Sequence, residues 1–186
     1  YGLILLKKII KYSFDSEFFP KSRNIRQLIF YLKYFILIRE FLIESQSELP
    51  DYLDEVIFHL GQAYNFLWQS TEKIYLFNGN NDAKYHELDD FLKTHGYKFK
   101  NATQEVGGYV ILKNKNINIA MDMGGAPEKK FSGNYQSGVL SFEILYHGEK
   151  LISNSGYFQD TKHQLNKISK SSAAHSTLIL DNTSVC

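Results

Sequence analysis

The sequence is poor in the features that most often announce a chemistry. It has one cysteine, Cys186, which cannot close an internal disulfide and so neither supports nor excludes an oxidising compartment. It also lacks an excess of charge: 21 Lys and Arg against 20 Asp and Glu leave a formal charge of +1. No global field then draws it to nucleic acid or to an anionic membrane, and any polyanion has to be held by a local cluster of basic residues. A glycine-rich phosphate loop is missing too, since Gly107-Gly108 and Gly124-Gly125 are isolated pairs.

Histidines at metal-ligand spacing are absent. His175 stands alone in the small-residue run 171–177, while His59, His86, His95, His147 and His163 are scattered over helices and turns; a zinc ion needs three or four ligands together. There is no uncharged run long enough for a bilayer either. Residues 25–43 approach the ~20 apolar positions a crossing requires, but Arg26, Lys33 and Glu40 recur every seven residues and draw a charged stripe down a helix that is apolar on its other sides. No secretory signal and no initiator methionine are visible, and the helical pattern is already running at Tyr1. An internal piece of a longer chain is the expectation.

What is present is aromatic and patterned, with 13 Tyr and 14 Phe among 186 residues. Leu3, Leu6, Ile9 and Ile10 make one apolar helix face, which residues 15–20 interrupt before the long helix over 25–43. A third helix begins near Pro50, with Asp51, Asp54 and Glu55 at the positive end of its dipole, and runs through Val56, Leu60, Ala63, Phe66 and Leu67. Turn chemistry at Asn78-Gly79-Asn80-Asn81 follows. Asp82 then opens a fourth helix with Tyr85, Leu88, Phe91 and Leu92 on one side, which Gly96 ends.

After about Asn101 the period changes from helical to alternating. Strands are predicted over 109–113, 117–121, 139–146, 150–153 and 177–180, with turns at Asn114-Lys115-Asn116 and His147-Gly148-Glu149 short enough for hairpins. In the third strand Leu140, Phe142, Ile144 and Tyr146 alternate with Val139, Ser141, Glu143 and Leu145. A block of helices followed by a block of antiparallel strands implies two layers or two domains, not a wound α/β sheet.

Three polar stretches carry candidate chemistry. Residues 18–24, Phe-Phe-Pro-Lys-Ser-Arg-Asn, mix aromatics for stacking on sugar rings with cations for carboxylates or sulfates; the commoner reading of such a loop is a helix entry whose polar groups cap residue 25 onward. Residues 133–138, Gly-Asn-Tyr-Gln-Ser-Gly, lie at the mouth of a strand, where an ordinary turn is the commoner reading. The third is Ser171-Ser172-Ala173-Ala174-His175-Ser176-Thr177, whose histidine suits proton transfer or metal ligation.

Taken in order, the segments FFPKSRN, IYLFNGNND, GGYVILKN, MDMGGAP, SGVLSFEI, KLISNSGYF and SSAAHSTLILDNTS resemble the heparinase II/III family, in particular its alphaproteobacterial branch. The resemblance implies a multi-domain α plus β fold: the last helices of an incomplete (α/α) toroid over 1–101, followed by part of an antiparallel β-sandwich over 102–186. It also implies cleavage of a uronate-containing acidic polysaccharide by β-elimination in a cleft between the two parts. That reaction must neutralise the uronate carboxylate, remove the C5 proton and protonate the leaving oxygen.

Carried over residue by residue, the resemblance makes Arg23, Asn24, Gln136 and His175 the catalytic candidates, and Lys21, Asn134, Tyr135 and Tyr157 the substrate-binding ones. Gln136 and Asn134 stand where members of the family carry histidines. No cofactor is required; members that hold zinc ligate it through the histidine at position 175 and an Asp at position 154, where this chain has Asn154, and an amide is a poorer zinc ligand than a carboxylate. The expected partner is acidic polysaccharide, not nucleic acid, and the expected location is the periplasm or cell envelope. The lost histidines leave a second possibility, a non-catalytic glycan-binding or envelope scaffold protein.

Overall fold

The computed structural model describes residues 1–69, 74–81, 86–100, 105–181 and 183–184. The predicted helix start at Asp82, the helix position of Tyr85, the change of period at Asn101, the turn residue Asn182 and Cys186 lie outside the described residues.

Four helices come first: α1 (Gly2–Ser13), α2 (Ile25–Glu44), α3 (Asp51–Tyr64), which passes into a π-helical turn at Asn65–Gln69, and α4 (His86–Thr94). Asn24 caps α2, its side-chain oxygen accepting from the Arg26 amide at 3.0 Å, so the capping reading of the 18–24 loop holds. The apolar side of α2 buries Ile25, Leu28, Ile29, Leu32, Phe35 and Ile36 against α3. Its charged stripe is used as well: Lys33 lies 5.6 Å over the Phe91 ring of α4, and Glu40 accepts from the Tyr97 hydroxyl at 3.2 Å. Of the predicted α1 face, Leu6 and Ile10 are buried while Leu3 and Ile9 stay exposed, because α1 meets the core along a narrow line. Gly96, at φ +73°, ends α4 as expected, with the Tyr97 amide reaching back to the Leu92 carbonyl. No helix among the described residues is long and apolar enough to cross a membrane.

The strands β1 (Glu105–Val106), β2 (Tyr109–Lys113), β3 (Ile117–Asp122), β4 (Phe142–Tyr146) and β5 (Glu149–Ile152) form one antiparallel sheet in chain order. The β4–β5 turn has His147 at φ +48° and Gly148 at φ +80°, the pair of positive angles that matches hairpin twist. A helix not foreseen, α5 (Gln164–Lys170), follows the sheet.

Two predicted strands differ. The third is shorter at its start because Val139 and Leu140 form a turn, with Leu140 at φ +60°. Residues 177–180 form no ladder: Thr177 spends its hydroxyl on the Val139 carbonyl, Leu178, Ile179 and Leu180 are exposed, and the one bridge joins Leu180 to Thr183 across a turn. Among the described residues no strand lies beside the apolar run to pair with it.

The face of β4 that turns to the helices carries Ser141 just before it, then Glu143 and Leu145, at 2, 0 and 1% exposure, while Tyr146 on the apolar set is half exposed. The buried face therefore includes a charge that needs partners. One comes from residues 74–81, the seam between helices and sheet, and the others from β5 and the residues just after it. Glu143 Oε1 accepts from the Leu76 amide (2.8 Å) and from the backbone and side-chain nitrogens of Asn154 (both 3.2 Å), and Lys150 Nζ lies 3.3 Å from Oε2. One hydrophobic core runs through this seam, from Leu28 and Leu60 in the helices to Tyr109 and Leu145 in the sheet.

Candidate functional site

A cavity of about 270 Å³ opens where the helical part meets the loop after β3. Tyr12 and Ser13 from α1, Ser22 and Asn24 from the helix entry, and Gln27 and Tyr31 from α2 form one wall; Lys130, Phe131, Gly133 and Asn134, from a 3-10 turn, form the other. Its lining is hydroxyl, amide and aromatic with one cation. Such a mixture can hydrogen-bond the edges of a sugar and stack on its faces.

The amides share a feature. Asn24 Oδ1 accepts from the Arg26 amide, Gln27 Oε1 from the Ser22 hydroxyl (2.6 Å) and Asn134 Oδ1 from the Tyr157 hydroxyl (2.9 Å). In each, the protein uses the oxygen and leaves the NH2 half for a ligand, so three amides offer donors to an incoming oxygen-rich group.

Phe131 marks one lip. Tyr12 meets its ring edge-on at 5.2 Å, and the ammonium groups of Lys130 and Lys21 lie 5.0 and 6.0 Å from its centre. Lys21 also donates to the Lys11 carbonyl, and Lys130 pairs with Glu128 at 2.8 Å, both groups in solvent. Lys170 donates to the Gly133 carbonyl at 2.8 Å and lies 5.7 Å over the Tyr157 ring, adding a cation beside Asn134.

Of the residues singled out in the sequence, Lys21, Asn24, Asn134 and Tyr157 meet at or beside this cavity. Arg23 does not line it. Its guanidinium turns to the sheet, 2.7 Å from Asp122 and over the Tyr109 ring at 4.7 Å. Burial drives the Arg23 pKa down, but its coupling to Tyr109 and the charge and hydrogen bond of Asp122 outweigh it and hold the pKa above its ordinary value. Burial pushes the Asp122 carboxyl up, with Arg23 opposing it. Tyr135 is buried.

Gln136 is a buried hub. Its oxygen accepts from the Gly79 amide at 2.9 Å, and its nitrogen donates to the carbonyls of Gly156 (3.0 Å) and Ser169 (2.7 Å). His175 Nε2 meets the same Ser169 carbonyl at 3.0 Å, and burial lowers the ring's pKa, so it is neutral at pH 7. Asn154 Oδ1 accepts from the Ser176 amide at 3.0 Å, while its nitrogen is held by Glu143. Asn24 packs on Gly79, whose amide binds Gln136, which shares a carbonyl with His175. The three polar stretches therefore converge through one chain of contacts, though His175 is outside the cavity lining.

His175 and Asn154 are the positions at which the resemblance would put a zinc ion, and they do not suit one. The oxygen and the nitrogen of the Asn154 amide are both engaged by protein, and His175 is committed at Nε2. Among the described residues no three His, Cys, Asp or Glu converge on a point.

Sequence reasoning missed Tyr31, Gln27, Phe131 and Lys130. Phe131 follows the basic pair Lys129-Lys130, and an aromatic in a cationic loop was the available signal.

Residues 98–186 match the family described as Heparinase II/III-like, C-terminal. Among solved structures the chain is similar to a heparinase III (the BT4657 gene product with methylated lysines), with TM-score 0.79 and 12% identity over 98% of this chain and 32% of that one. A second heparinase III gives TM-score 0.75 at 13% identity, over 98% and 35% of the two chains. Heparan sulfate lyase HepC from Pedobacter heparinus gives 0.76 at 14%, over 98% and 33%. The likeness includes helices and sheet together, and at these identities it is a likeness of fold. The chain spans about a third of the length of these proteins. No curated protein sequence matches it.

Proposed function

Because residues 98–186 match the heparinase II/III-like C-terminal family, we propose that this chain is part of a polysaccharide lyase-like protein that binds a uronate-containing acidic polysaccharide and cleaves it by β-elimination. The same reading takes residues 1–101 as the end of an (α/α) toroid and 102–186 as the start of a β-sandwich. It also takes the protein's place of work as the periplasm or cell envelope. The set SRN, MDMGGAP and AAHST favours the alphaproteobacterial branch.

The observation that carries the proposal is the cavity with three amides whose NH2 groups are the unspent halves. Asn24, Gln27 and Asn134 can jointly hold a carboxylate there, which stabilises the enolate-like charge that forms when C5–H is lost. The phenolic oxygen of Tyr12 or Tyr31, in its deprotonated form, is the cavity's own candidate for taking that proton and, once protonated, for handing it to the departing glycosidic oxygen as the C4–O bond breaks. Lys21, Lys130 and Lys170 around the rim match the charges of the flanking sugars. Gln136 and His175 act in this scheme by bracing the wall behind Asn24.

The test is ultraviolet absorbance of unsaturated uronate product, with heparan sulfate first because HepC is named a lyase for it, then other uronate polysaccharides. Product release that falls about tenfold or more with Asn134→Ala supports the reading, that being the scale of one well-placed hydrogen bond to a charged group. Absence of product from every uronate polysaccharide overturns it. The alternative, a glycan-binding scaffold without catalysis, is motivated by amides at 134 and 136 in place of titratable groups; glycan binding without cleavage favours it.

A further inference from the structure

The double glycines of the sequence find their use around Arg23. Its Nη2 lies 2.7 Å from Asp122 Oδ1 and donates to the Gly107 carbonyl at 3.0 Å, and its Nη1 donates to the Gly125 carbonyl at 3.1 Å. A Cβ on Gly124 would overlap the guanidinium, one on Gly108 would overlap Gly124, and one on Gly107 would enter the Phe19 ring. The two turns thus leave a slot of arginine width, floored by Tyr109 and closed by Asp122. Asp122 is held in turn by Asn78 Nδ2 at 2.7 Å and the Gly124 amide at 3.2 Å.

Backbone contacts tie the helix entry to the same place. The Tyr109 hydroxyl, which also meets Asn78 at 2.6 Å, donates to the Arg23 carbonyl at 3.0 Å, and the Ile25 amide donates to the Asn78 carbonyl at 3.2 Å. Arg23 itself sits at φ +53°, a left-handed conformation that a residue with a side chain leaves unless its surroundings hold it. Asn24 is the next residue, and its amide is part of the cavity wall.

We infer that Arg23 is a positioning residue, not a substrate contact: the slot made by Asp122 and the two double-glycine turns locks the 23–25 backbone so that Asn24 presents its amide to the cavity. This rests on the proposed glycan reading of that cavity. The guanidinium is 8% exposed as part of its residue and already engaged on the sheet side, so it cannot reach a ligand without leaving the slot.

The experiment uses the full chain, titrated calorimetrically with a heparan sulfate oligosaccharide, in wild type, Gly124→Ala, Asn24→Ala and the double variant. Gly124→Ala, which touches no part of the cavity, is expected to weaken binding about tenfold. Asn24→Ala should do the same and the pair no more than either, since residues acting as one unit are non-additive. Losses that multiply to about a hundredfold, or no loss with Gly124→Ala, overturn the inference. Asp122→Asn separates the two roles: a substrate-contacting Arg23 released from its partner would bind as well or better, whereas positioning predicts weaker binding. If Gly124→Ala does not fold, Asp122→Asn takes its place in the same cycle. If wild type binds no heparan sulfate, the glycan reading has failed, and amide hydrogen exchange then decides the slot. Exchange at Arg26 and Gln27 faster by about tenfold with the β2–β4 amides unchanged supports it, and unchanged or uniformly faster exchange overturns it.

Discussion

Gln136 Nε2 and His175 Nε2 meet on a single acceptor, the Ser169 carbonyl, at 2.7 and 3.0 Å. That geometry makes His175 Nε2 the protonated nitrogen, since a carbonyl only accepts. Two residues from separate polar stretches thereby brace α5 against the entry to β4.

His175 gives the fold a pH dependence. Burial lowers its pKa from the ordinary 6.5. The unfolded chain therefore takes a proton near pH 6.5 that the folded chain refuses; this contribution to stability is complete above that pH and is lost as pH falls towards the folded value. Thermal unfolding followed by circular dichroism from pH 8 to 5 should show the melting temperature of wild type falling across that interval, and a smaller fall in His175→Gln. Parallel curves for the two proteins would count against it.

Glu143 satisfies three nitrogens from inside the seam. Glu143→Ala leaves them and Lys150 without their acceptor, at a cost of about 3 kcal/mol or more, given ~1–3 kcal/mol for each buried group left unpaired. Glu143→Gln, which keeps an acceptor oxygen, should lose roughly 1 kcal/mol. Urea unfolding measures both, and equal losses would contradict the assignment.

Gly79 sits at φ +82° with the Asn24 amide packed where a side chain would start. Gly79→Ala is therefore expected to cost about 1–3 kcal/mol, from overpacking and backbone strain together. Denaturant unfolding should show it as a lower midpoint at unchanged slope; a neutral substitution would mean the approach is looser than the structure has it.

Around Phe131 the effects should appear in binding and not in folding. Phe131→Ala is expected to weaken heparan sulfate binding about tenfold, through loss of the stacking face and of two cation contacts. Lys130→Gln should weaken it about threefold at low salt and hardly at all at high salt, because exposed charges are screened. Calorimetric titration at two salt concentrations checks both, with melting temperatures unchanged for Lys130→Gln.

Much of this fold was legible in the sequence, because α2, α3, β2 and β3 are written by apolar period alone. The failures have local causes. Leu140 continues the strand alternation yet turns at φ +60°, and the apolar residues Leu178 to Leu180 look like a strand but pair with no strand among the described residues. α5 is seven residues with two buried polar groups, Asn166 and Ser169, so it has no apolar stripe to read. In the cavity, Asn24 and Asn134 come from two of the loops singled out in the sequence, whereas the partner of Arg23 was not foreseen. The signal existed: Asp122 follows Ala120 on the buried face of β3, and a carboxylate on a core face requires a buried cation. Glu143 two residues before Leu145 says the same of β4.

The central claim is that an acidic glycan lies between the α2 entry and the 3-10 turn. Backbone amide shifts of the isotope-labelled chain, titrated with a heparan sulfate oligosaccharide, test it most directly. The account predicts that the largest shifts fall together on residues 22–31 and 129–134, one set from each wall. Shifts confined to one wall, or to the exposed face of the sheet, would contradict it.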